Sequence, residues 1–64
     1  MKKKNKFVKV SIKFLPRVTE VMEFYPWQQV ILTDNSCFWY VFEDIDDAFD
    51  YMKENRNLNL HLIY

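Results

Sequence analysis

The sequence predicts an α+β fold: a small antiparallel sheet of four to five strands with one helix packed on one face, in the order β-β-β-β-α-β. Three observations predict it. Residues 7–15 alternate strictly, with Val8, Val10, Ile12 and Phe14 on one side and Lys9, Ser11 and Lys13 on the other. That is the period of a half-buried strand. Residues 37–42 are apolar in both phases, Cys37/Trp39/Val41 and Phe38/Tyr40/Phe42. A strand of that kind is covered on both sides or lies in an interface. Residues 45–55 place Ile45, Ala48, Phe49 and Met52 at helical spacing behind Asp44, a preferred N-cap residue.

The elements follow in order. Residues 1–6 read as a basic flexible tail, and residues 7–64 as a single domain. Pro16 closes the first strand, because it has no N–H to donate to a ladder. Residues 17–25 fit two periods. Val18, Val21, Met22 and Tyr25 stand at i, i+3, i+4 and i+7, as on a helix, while the β-branched Thr19 and Val21 favour a strand. The β-branched pair sets the expectation: a second strand, antiparallel to the first and ended by Pro26. Gln28–Thr33 reads as the third strand, with Val30 and Leu32 on one face and Ile31 on the other. Asp34, Asn35 and Ser36 form a polar turn, and in a chain without glycine Asn35 is best able to take a positive φ. The fourth strand is 37–42. Asp46 and Asp47 then fall in the first turn of the helix, at the positive end of its dipole. Asn57 is the expected C-cap. Leu58, Leu60 and Leu62 alternate with Asn59, His61 and Ile63 in a last strand.

The composition excludes several function classes. The chain has 64 residues, 50% of them hydrophobic, with no glycine and one cysteine. One domain is the most that fits, and the apolar fraction is too high for a disordered chain. Without glycine there is neither a phosphate-binding loop nor an EF-hand. One cysteine forms no internal disulfide. Cys37 and His61 are the only soft ligands, so no metal and no cofactor is expected. Cys37 reads as a small buried hydrophobe and His61 as a surface residue. No nucleophile-and-base motif is visible, so the chain is not expected to be an enzyme. Lys9, Ser11 and Lys13 interrupt what would be a signal-peptide core, and no apolar run approaches the roughly 20 residues of a membrane span. A lone thiol then makes a reducing cytoplasm the expected compartment.

What remains is a surface argument. Nine basic and nine acidic residues cancel, but the cancellation is an average. Seven of the basic residues are Lys2, Lys3, Lys4, Lys6, Lys9, Lys13 and Arg17, all near the N-terminus. Six of the acids lie between positions 43 and 54. Asp44 to Asp47 suit a helix start, whereas Glu43, Asp50 and Glu54 exceed that need. Glu43, Asp46, Asp47, Asp50 and Glu54 are therefore candidate contacts for a protein partner with a basic surface. The twelve aromatics outnumber the places a core this small provides. Tyr25, Trp27 and Tyr40 are the candidates for an exposed contact patch, since Trp and Tyr anchor interfaces.

The expected function is a small cytoplasmic protein-binding module, an inhibitor or adaptor of a larger protein. By analogy of size and charge, such a module suits a bacteriophage acting on a host enzyme or defence complex in the host cytoplasm. Homodimerisation is expected from the size limit. The alternative is a nucleic-acid-binding accessory protein using Lys2, Lys3, Lys4, Lys6, Lys9 and Lys13. A domain-wide basic balance, usual in nucleic-acid binders, is missing.

Overall fold

A computed structural model describes residues 7–34 and 37–64. The predicted basic tail, the lysines at positions 2, 3, 4 and 6 and the turn residue Asn35 lie outside the described residues. The elements are β1 (Phe7–Ser11), α1 (Val18–Phe24), β2 (Val30–Thr33), β3 (Phe38–Phe42), α2 (Ile45–Glu54), a 3-10 turn (Arg56–Leu58) and β4 (His61–Leu62). The class is α+β, with one antiparallel four-stranded sheet in the order β1-β3-β2-β4. The hairpin of β2 and β3 forms the centre, with Ile31 opposite Val41 and Leu32 opposite Tyr40. β1 lies outside β3, with Val10 opposite Trp39, and β4 lies outside β2, with Leu62 opposite Leu32.

Residues 17–25 are not a strand. Val18–Phe24 is a helix, and the chain reads β-α-β-β-α-β rather than four strands before one helix. Its start is fixed locally: the Arg17 backbone N–H donates to the Glu20 carboxylate at 3.3 Å. Its persistence is a tertiary matter. Val10, Ile31, Trp39 and Val41 make one sheet face apolar, and Val21 is fully buried against them, with Val18, Met22 and Tyr25 packed alongside. These four helical residues are those at i, i+3, i+4 and i+7. Burial of a whole apolar stripe outweighs the few tenths of a kcal/mol by which β-branched residues disfavour helix.

The opposite face carries Val30, Leu32, Tyr40 and Phe42, covered by Ala48 of α2 with Tyr51, Met52 and Leu60 around it. Two helices therefore sandwich the sheet, where one helix on one face was expected. β3 supplies Trp39 and Val41 to one core and Tyr40 and Phe42 to the other, so its doubly apolar sequence is used on both sides.

α2 begins as predicted, with the Asp44 side chain accepting from the Asp46 N–H at 2.8 Å. Its seating differs from the predicted stripe. Ala48 and Met52 face the sheet, but Ile45 and Phe49 stay exposed, and Asp47 and Tyr51 turn inward instead. The rotation follows from Tyr51, whose ring meets Phe7 at 4.7 Å, Phe42 at 5.7 Å and Tyr40 at 5.8 Å. Among the described residues the one positive φ belongs to Asn59, not to the expected cap Asn57, which lies within the 3-10 turn. Residues 12–15 leave the first strand as a turn, tied down by the Trp39 indole N–H, which donates to the Leu15 carbonyl.

Candidate interaction surfaces

The predicted site residues divide between surface and interior. Glu43, Asp46, Asp50 and Glu54 are exposed, Glu43 just before α2 and the other three on its outer face. Asp47 is buried at 6% exposure and does not belong to that face. The reason is its position one turn before Tyr51, on the flank that the aromatic cluster draws inward. Tyr40 is likewise buried, at 2% exposure, and is a core residue rather than a contact. It sits on the central strand beneath Tyr51 and between Phe7 and Phe38. Burial raises its phenol pKa above the ordinary value, and Asp34, Tyr51 and Cys37 raise it further.

Tyr25 and Trp27 do lie at the surface, half-buried and exposed respectively. They belong to a longer aromatic strip. Phe14 meets Phe24 at 6.0 Å, Phe24 meets Tyr25 at 5.0 Å, and Tyr25 meets Trp27 at 5.5 Å. Phe14 and Phe24 were not anticipated. The helical period held a clue to Phe24, which falls off the Val18/Val21/Met22/Tyr25 stripe. This strip borders the α1 face of the sheet, while the acidic face belongs to α2 on the other side. Acidic helix and aromatic strip therefore do not form one continuous patch.

They meet at one end of the sheet, where β1 begins and β3 ends. The Gln29 N–H donates to the Phe42 carbonyl at 2.9 Å, which brings the loop after α1 beside the start of the acidic segment. There Phe7, Val8, Trp27 and Glu43 line an open groove of about 220 Å³. Two predicted contacts, Trp27 and Glu43, share it. Phe7 and Val8 were predicted only as strand residues. An aromatic face beside a carboxylate attracts a cation through the ring quadrupole and through charge. The volume suits one long side chain better than a drug-sized ligand, which needs roughly 300 Å³ or more.

Lys9 and Lys13, the described lysines of the predicted basic stripe, are both exposed. The Lys9 ammonium lies 4.4 Å from the centre of the Phe38 ring and 5.8 Å from that of Tyr40. Lys13 borders a second groove of about 280 Å³ with Ser11, Ile12, Cys37 and Phe38. Cys37 is exposed there, not buried as expected, and its N–H donates to the Asp34 carboxylate at 3.1 Å.

Among the described residues no group of three or more His, Cys, Asp or Glu side chains is arranged to hold a metal ion. No described helix is long and apolar enough to cross a membrane. No protein-family model, curated protein or solved structure matches the chain.

Proposed function

We propose that this chain is a small protein-binding module, an inhibitor or adaptor, that receives a Lys or Arg side chain of its partner in the groove of Phe7, Val8, Trp27 and Glu43. The observation that carries this reading is the meeting of an exposed Trp with a carboxylate over an apolar floor. Charge supports it: Asp46, Asp50 and Glu54 extend a negative surface along α2, which would speed encounter with a basic partner and repel nucleic acid. The aromatic strip from Trp27 to Phe14 supplies the apolar part of the contact.

The test is affinity capture from the cells in which the protein acts, using the parent chain, Trp27→Ala, Glu43→Lys and an Asp46→Lys/Asp50→Lys/Glu54→Lys triple variant. The expected outcome is a defined captured protein lost with Trp27→Ala and Glu43→Lys. The triple variant should capture more weakly and with less salt dependence. Capture that is unchanged in both groove variants removes the groove from the account.

A further inference from the structure

We infer that the free edge of β4 is a self-association surface, and that two copies join there into one continuous eight-stranded antiparallel sheet. The two sheet edges differ in kind. β1 carries Lys9 at its centre, and a two-fold pairing of β1 with itself would set like charges opposite each other, the usual guard of an edge strand. Residues 57–64 carry no Lys, Arg, Asp or Glu. Leu62, Ile63 and Tyr64 are all exposed along that stretch.

The backbone is arranged for pairing. The Ile63 N–H donates inward to the Ile31 carbonyl at 3.0 Å. In an antiparallel ladder bonded and non-bonded pairs alternate. Leu62, opposite Leu32, is therefore in a non-bonded pair, and its N–H and C=O point away from the sheet. A two-fold axis at Leu62 lets the two copies of this residue exchange both hydrogen bonds; the Tyr64 carbonyl is turned inward, accepting from the Ile31 N–H at 3.2 Å, so the backbone exchange is confined to Leu62.

The side chains are arranged for it too. Leu62 shares a face with its cross-strand neighbour Leu32, which is the α2 face. Tyr51 on one flank of α2 reaches Phe7 of β1, and Ile45 and Phe49, on another flank of the helix, are exposed. Ile45, Phe49, Leu62, Ile63 and Tyr64 have exposures between 38% and 54%. They expose on the order of 400 Å² of apolar side chain per copy. Complete cover of that surface and of the edge backbone in both copies would reach on the order of 1,000 Å², the floor for a specific interface. A two-fold operation about an axis normal to the sheet keeps both α2 helices on the same face.

Sedimentation equilibrium of the full chain tests this. The expected mass is twice 7.9 kDa for the parent, and 7.9 kDa for Leu62→Lys, which restores a guard charge at the seam. Trp27→Ala, in the groove lined by Phe7 and Val8 of β1, should leave the doubled mass unchanged, which separates this inference from the partner-binding reading. If Leu62→Lys does not fold, hydrogen exchange of the parent decides. The Leu62 amide should be protected increasingly with protein concentration, as an edge N–H engaged by a second copy would be. A parent that is monomeric at sub-millimolar concentration overturns the inference. So does a dimer that persists in folded Leu62→Lys, or a Leu62 amide that exchanges at one rate at all concentrations.

Discussion

Tyr40 shows how a single side chain can be read correctly in type and wrongly in place. Its phenol made it a plausible surface anchor, but it stands at the centre of the middle strand, where both phases are apolar and both are covered. Burial, then the charges of Asp34, Tyr51 and Cys37, hold its proton more tightly than in an unfolded chain. The sign of the consequence is fixed. Below about pH 10 the phenol is protonated in both states and the contribution is intact. As the pH rises past that value, the unfolded chain loses its proton first and stability falls. Urea midpoints measured between pH 8 and pH 11 should decline less steeply in Tyr40→Phe than in the parent. Equal slopes would assign the decline to other groups. Asp47 is a second case of placement rather than chemistry. Its sequence neighbours suggested an acidic face, and only the seating of the helix tells that it turns inward.

At the scale of elements, α1 carries the main difference between sequence and structure. Residues 17–25 held both periods, and the local preference of Thr19 and Val21 pointed to strand. The decisive information was elsewhere in the chain. Residues 37–42 were apolar on both faces and demanded two covers, and a single helix supplies one. Taken together with that demand, the i, i+3, i+4, i+7 pattern of Val18, Val21, Met22 and Tyr25 is the missing second layer. The remaining elements were legible because their signals were local: the alternation of Phe7–Ser11, the Val30–Thr33 and Phe38–Phe42 runs, and the Asp44 cap. Substitutions distinguish the two assignments of α1. On a strand Thr19 and Val21 would share a face, whereas on the helix Thr19 is exposed and Val21 fully buried. Val21→Ala should cost about 2 kcal/mol, partly offset by better helix propensity. Thr19→Ala should be neutral or slightly stabilising. Chemical denaturation of the two variants checks both values.

For the molecule as a whole, the charge segregation was readable in the sequence, and its spatial meaning was not. The acids from Glu43 to Glu54 line one helix and its approach, and the aromatic strip lies across the sheet from that helix. Only the strand order brings the end of each together, at Trp27 and Glu43. No periodicity contains that meeting, because it depends on β1 being the neighbour of β3 rather than of β2. The same applies to Ile45 and Phe49. Any pattern of apolar spacing places them inward, and the Tyr51 cluster leaves them outside.

The strand order also sets a sequence of events in time. The pairing of β2 with β3 closes a short loop, whereas β1 must find β3, and β4 must find β2, across some thirty residues of chain. Loop closure costs more entropy for the distant pairs, so the central hairpin is the natural nucleus, and both edges condense on it later. Mutational kinetics would then be asymmetric. Ile31→Val, within the hairpin, should mainly slow folding, whereas Leu60→Ala, beside the last strand, should mainly hasten unfolding. Stopped-flow chevrons of the two variants would show whether the chain assembles from its middle outward.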